Sequence, residues 1–166
     1  MKRILIWDLL DTVAVIACDT DFLIKIANDP LPKFDWQTLS RQNEFCTLPS
    51  IVRELSNLKS SRQRQTAKRA VMALSIVGAH STSKVKVLTV ESTSNRIWID
   101  KNAPADEALI AFVSEEQKSR MVATLDGDLL SRLEAQGMPY MTLSSDRPLI
   151  APRRAMHLTR TGDFIY

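Results

Sequence analysis

Apolar and polar positions fall into short blocks whose period changes repeatedly along the chain. Residues 13–18, VAVIAC, are a continuous apolar run rich in β-branched side chains and closed by Asp19-Thr20-Asp21, which predicts a strand buried on both faces. The next block, FLIKIAN, has apolar residues at 22, 23, 24, 26 and 27, which predicts a short helix capped by Asp21 and stopped by Asn28-Asp29-Pro30. A polar stretch at 30–43 predicts a loop with one helical turn at WQTLS, followed by a brief strand, FCTL. Pro49 then opens a helix, SIVRELSNL. Residues 63–79 carry a helical stripe at 67, 70, 71, 74 and 77, with Arg62, Arg64, Lys68 and Arg69 crowded at its entry.

The second half repeats the alternation. VKVLTV (85–90) reads as a strand and 94–104 as a loop, and Asp106 begins a helix, DEALIAFVSEEQKS, with two acids in its first turn. MVATL (121–125) is again a strand, DLLSRLEAQ a helix closed by Gly137, and PYMTL a last core strand before a basic tail with Arg147, Arg153, Arg154 and Arg160. Strands alternating with helices predict an α/β domain with a mostly parallel central sheet covered by helices on both faces.

Composition narrows the class. The 166 residues fit one domain, and 45% hydrophobic with 25% charged residues excludes collagen-like, disordered and coiled-coil chains. Cys18 and Cys46 sit in apolar stretches without zinc-site spacing, as expected of reduced core thiols in a cytoplasmic protein. The N-terminus imitates a lipoprotein export signal, but Asp8 and Asp11 interrupt its apolar run and FLIKIA after Cys18 is no polar tether. No uncharged run approaches the ~18 residues that span a bilayer, so no membrane partner is expected.

In sheets of this kind sites form beyond the carboxyl ends of the strands, where this sequence places its acids. Asp19 follows the first strand, Asp126 follows MVATL, and Glu54 and Asp106 lie in early turns of helices. Carboxylates packed together repel one another unless a cation joins them, and magnesium or manganese is the hard divalent ion suited to an all-oxygen set. His80 and His157 are the sole imidazoles, and neither lies beside these acids in a strand-end position, which argues against a zinc hydrolase or a histidine-based nuclease.

VIACDTDFL, PSIVRELSNL, ADEALIAF and VATLDGDLLSRLEAQGMPYMTL, in that order, resemble the four motifs of the PIN-domain ribonucleases, and are most similar to the archaeal branch of VapC-type toxins and ribosomal RNA-processing nucleases. The resemblance covers about residues 13–143. It implies a three-layer PIN-like fold, with a nuclease domain over 1–145 and a basic extension over 146–166 that packs on or extends it. It makes Asp19, Glu54, Asp106 and Asp126 the catalytic, metal-binding acids, adds Asp128 as a fifth ligand, and has Thr124 orient a carboxylate or a water. The implied activity is magnesium- or manganese-dependent hydrolysis of RNA to 5′-phosphate and 3′-hydroxyl ends. An antitoxin, a ribosome-assembly partner or a second copy of the chain are the protein partners it implies. The sequence departs from the family at Asp21, where Asn or Ser is usual, and after residue 145, where a minimal domain has no counterpart.

Plainer roles stand beside these. Asp19 could be a turn residue, Glu54 a solvated helix position, Asp106 a cap, and Asp126 and Asp128 a turn and an N-cap. CDTDFL also fits a haloacid-dehalogenase-like phosphatase with Asp19 as nucleophile and Asp21 as acid and base, although a catalytic lysine and a cap insertion are lacking. A nonhydrolytic RNA-binding module on the same fold is the third reading. Pooling Asp19, Glu54, Asp106, Asp126 and Asp128 leaves 14 acids elsewhere against 22 bases, an acidic pocket in a basic surround that suits RNA. Arg62, Arg64, Lys68, Arg69, Arg153 and Arg154 are the candidate backbone contacts, or else only a solvated face. Trp7, Trp36 and Trp98 could stack bases or fill the core.

Overall fold

The computed structural model describes residues 15–29, 34–78, 85–90, 96–144 and 147–151. Residues 13 and 14 of the first apolar run, Trp7, Asp8, Asp11, Pro30, His80, Arg153, Arg154, His157 and Arg160 lie outside the described residues. The strands are β1 (Val15–Cys18), β2 (Glu44–Thr47), β3 (Val87–Thr89), β4 (Arg120–Ala123), β5 (Tyr140–Ser144) and β6 (Arg147–Ala151). The helices are α1 (Thr20–Ala27), α2 (Trp36–Gln42), α3 (Pro49–Lys59), α4 (Arg64–Ser75), α5 (Ala105–Ser114) and α6 (Gly127–Ala135), with a 3-10 turn at Ile97–Ile99. Among the described residues no helix is long and apolar enough to cross a membrane.

One sheet orders the strands β3-β2-β1-β4-β5-β6, parallel from β3 to β5 and antiparallel at β6. The last three residues of β1, β2 and β4 are all buried, so their apolar runs are uninterrupted because helices flank the sheet. From β1 the chain goes to β2 on one side, while β4 lies on the other. The strand order therefore reverses between β1 and β4, and the carboxyl ends of those two strands border the crevice where such sheets bind ligands.

The core centres on Ile16, Phe22, Leu23, Phe45, Leu55, Leu109, Leu129 and Leu133, all at most 1% exposed. Trp36 stacks edge-on against Phe22 and Phe34, and Trp98 against Phe112. Both tryptophans are core residues, which removes them as base-stacking platforms. Cys18 and Cys46 are buried free thiols, and burial pushes the Cys46 thiol up to about 12.

Four local expectations need correction. Asp19, not Asp21, caps α1: its carboxylate accepts from the Thr20 amide at 2.8 Å, while Asp21 is exposed in the first turn. Asp126, not Asp128, caps α6, accepting from the Asp128 amide at 2.9 Å. The α4 stripe is rotated toward Ala70 and Ala73, which leaves Val71 47% exposed at its margin. Finally, α5 stops at Ser114, short of the EEQKS run; Glu115, just beyond it, accepts from Trp98 Nε1 at 2.9 Å and Arg120 Nη1 at 3.3 Å.

The segment beginning at Arg147, read as tail, pairs as β6 along the whole of β5, from Tyr140↔Ala151 to Ser144↔Arg147. Pro148 and Ile150 alternate inward, and as an edge strand β6 tolerates the proline.

Candidate functional site

The acids reach the crevice through three elements that begin at the carboxyl edge and one that is brought to it. The Asp19 amide hydrogen-bonds the Ala123 carbonyl at 2.8 Å, which ties the end of β1 to the end of β4. Asp19 itself is only 6% exposed, and both of its oxygens are engaged. One accepts from the Thr20 amide, and Oδ2 accepts from the buried Thr124 hydroxyl at 2.7 Å. Thr124 Oγ1 in turn accepts from the Asp126 amide at 3.1 Å. One hydroxyl thus links the acid after β1 to the acid after β4, and the distance between Asp19 and Asp126 along the chain becomes irrelevant to their registration.

Glu54 arrives on the second turn of α3, which Pro49 starts immediately after β2 and Leu48. Asp106 stands in the first turn of α5 behind Pro104. The electrostatics show that these side chains share one field. Burial pushes the Asp19 carboxyl up to about 6; the bonds from Thr124 and Thr20 oppose this, and the charges of Asp21 and Glu54 add to it. Although the Glu54 side chain reaches solvent, the surrounding protein desolvates it enough to raise its proton affinity, and Asp21, Asp106 and Asp126 raise it further. Desolvation likewise raises Asp106, assisted by Asp126, Glu107 and Asp128 and opposed by Arg132.

Glu54 is thus within electrostatic reach of Asp19, Asp106 and Asp126, and Asp106 within reach of Asp126 and Asp128, with Asp128 exposed on the α6 side. Among the described residues no three acid, histidine or cysteine side chains converge on one point at ligating spacing. A hard divalent ion nonetheless fits this donor set, since it takes oxygen ligands, keeps several waters, and uses only one or two carboxylates directly. The raised proton affinities come first from desolvation and then from like charges, and such an ion would relieve the repulsive part.

The basic candidates are placed differently. Arg62, Arg64, Lys68 and Arg69 are exposed on and just before α4. Asn28, at the end of α1 remote from Asp19, donates to the Arg69 carbonyl at 3.0 Å. The eight residues of α1 separate that contact from the acids, about 12 Å at the helical rise. The Arg69 backbone is thus about a helix length from Asp19, while Arg132, which sequence reading passed over, is a cation whose charge acts on Asp106. Its partner Glu107 is 25 positions away along the chain, and no local spacing announces the pair. Sequence reading also missed the Thr20 hydroxyl, which is buried without a hydrogen-bond partner yet faces Glu54 closely enough to favour its charged form.

No protein-family model matches this chain, and no curated protein matches it. Among solved structures it is similar to one described as the PIN domain endonuclease Utp24, at 18% sequence identity and a TM-score of 0.53. That match spans 82% of this chain and 90% of the other. The likeness shows the fold to be PIN-like.

Proposed function

We propose that this chain is a metal-dependent endoribonuclease whose site is the crevice between β1 and β4. The observation that carries the reading is that Glu54, on α3, feels the charges of Asp106 and Asp126 and acts on Asp19, acids from four separate elements at the switch-point edge of a PIN-like sheet. Structural acids are normally dispersed or paired with bases. Here like charges act on one another and desolvation raises Asp19, Glu54 and Asp106, an arrangement typical of functional sites.

A magnesium or manganese ion bound there would activate water and neutralise charge developing on the scissile phosphate. Asp19 and Asp126 would hold it, with Glu54 and Asp106 joining through direct or water-borne contacts and Asp128 from the outer side. Thr124 fixes the Asp19 carboxylate in a single orientation, so no side-chain freedom is lost when the site is filled. With both oxygens engaged, Asp19 suits a fixed ligand better than the mobile nucleophile of a phosphatase. RNA is the substrate class that the motif resemblance and the basic surround favour. The two settings implied by that resemblance, a toxin held by an antitoxin and a ribosomal RNA-processing enzyme, are told apart by mapping cleavage sites on total cellular RNA.

The test is cleavage of single-stranded RNA with magnesium or manganese. The unmutated chain should cut, chelation should stop it, and Asp19→Asn should be inactive while still melting cooperatively as a folded protein. Cleavage by Asp19→Asn at the unmutated rate would remove the crevice from the chemistry.

A further inference from the structure

An acidic crevice repels the polyanion it is meant to cut, so a cation at its rim is needed to hold the backbone in place. Arg132 occupies that position. On α6 it lies four residues beyond Asp128, which puts both on one helix face. Its Nη2 donates to Glu107 Oε1 at 2.8 Å, and Glu107 adjoins Asp106 at the start of α5. The two side chains are 40% and 48% exposed, and such open ion pairs contribute little to stability. A guanidinium presents several donors in a fork that matches phosphate as well as carboxylate. We propose that Arg132 is a phosphate-binding residue that holds the RNA backbone at the α5–α6 rim of the crevice, exchanging the Glu107 carboxylate for a phosphodiester oxygen.

This inference rests on the nuclease reading and deepens it. It names a cation at this rim to meet substrate, whereas the Arg69 carbonyl is bonded to Asn28 at the far end of α1. The competing role for Arg132 is a structural tie that aligns α5 on α6. Glu107 separates the two roles. If the pair is a tie, losing either partner has the same effect; if Arg132 binds phosphate, losing Glu107 frees it for substrate.

The experiment measures binding of a short single-stranded oligouridine across a salt series in magnesium, with Asp19→Asn as the uncleaving parent. Arg132→Gln, Arg132→Lys and Glu107→Gln are compared in that background, each checked by thermal melting. Arg132→Gln should weaken binding and flatten the slope of log affinity against log salt by about 0.7, one phosphate contact on a single strand. Arg132→Lys should keep the slope, and Glu107→Gln should keep it while binding as tightly or more tightly. An unchanged slope in Arg132→Gln, or equal weakening in Arg132→Gln and Glu107→Gln, overturns the inference while leaving the nuclease reading in place. Failure of the Asp19→Asn parent to bind, together with no cleavage by the unmutated chain, overturns both.

Discussion

Thr124 shows how much one hydroxyl can do. It donates to Asp19 and accepts from the Asp126 amide, and it is fully buried. Thr124→Val keeps the shape and removes both bonds, leaving a half-buried amide and a buried carboxylate each short of a partner. We expect a loss of about 1–3 kcal/mol in denaturant unfolding. Without the donated bond the Asp19 carboxyl should also titrate above its value of about 6. The raised acids have a second consequence for the metal-free protein. A carboxyl raised from 3.8 to about 6 binds more protons folded than unfolded, so its contribution to stability is fully present below pH 3.8 and is lost as pH rises through 6. Glu54 and Asp106 are shifted in the same direction. In chelator, the melting temperature should therefore fall between pH 5 and pH 7, and Asp19→Asn should reduce that fall. A melting temperature that rises across this interval equally in both proteins would show that Asp19 is not held in a desolvated site.

At the scale of elements, the chain's local chemistry was mostly legible. The β-branched run ending at Cys18, Pro49 at the first position of α3 and Gly137 beyond α6 each mark a boundary through an effect confined to a few residues. Gly137 has φ 65°, and the amides of Gly137 and Met138 bond back to the carbonyls of Glu134 and Leu133 in a Schellman closure. Gly137→Ala should cost about 1–2 kcal/mol, measured by urea unfolding, because a side chain is disfavoured in that left-handed conformation. What escaped sequence reading depends on contacts between distant segments. Glu115, just beyond the end of α5, meets Trp98, Arg96 and Arg120, and its slight burial is outweighed by these partners, which hold its carboxyl below the usual range. The capping roles of Asp19 and Asp126 were missed because each cap stands two positions nearer its strand than the apolar periodicity suggested. The alternation of Pro148 and Ile150 was a signal for β6 that the surrounding arginines obscured.

Across the whole molecule, the fold brings four acids from distant segments toward the carboxyl edge around β1 and β4, where Glu54 is in electrostatic contact with the other three. Asp19 and Asp126 were legible as strand-end residues, whereas Glu54 and Asp106 on helices had no local signature and drew their assignment from motif order. The fold brings them together because α3 starts at the end of β2 and α5 packs against β4 and the 3-10 turn. If they share a cation, a divalent ion binding only the folded state should stabilise it by about 2.7 kcal/mol at a hundredfold excess over its dissociation constant. Thermal melting in manganese measures this, and Asp126→Asn should diminish the response. The most direct test of a single shared site is a double-mutant cycle on RNA cleavage with Asp19→Asn and Asp106→Asn, acids carried by α1's cap and by α5. Groups acting as a unit are non-additive. Each single variant should lose on the order of a thousandfold or more in rate, and the double variant should be no slower than the worse single. Losses that multiply in the double variant would contradict a shared site and place Asp19 and Asp106 in separate roles.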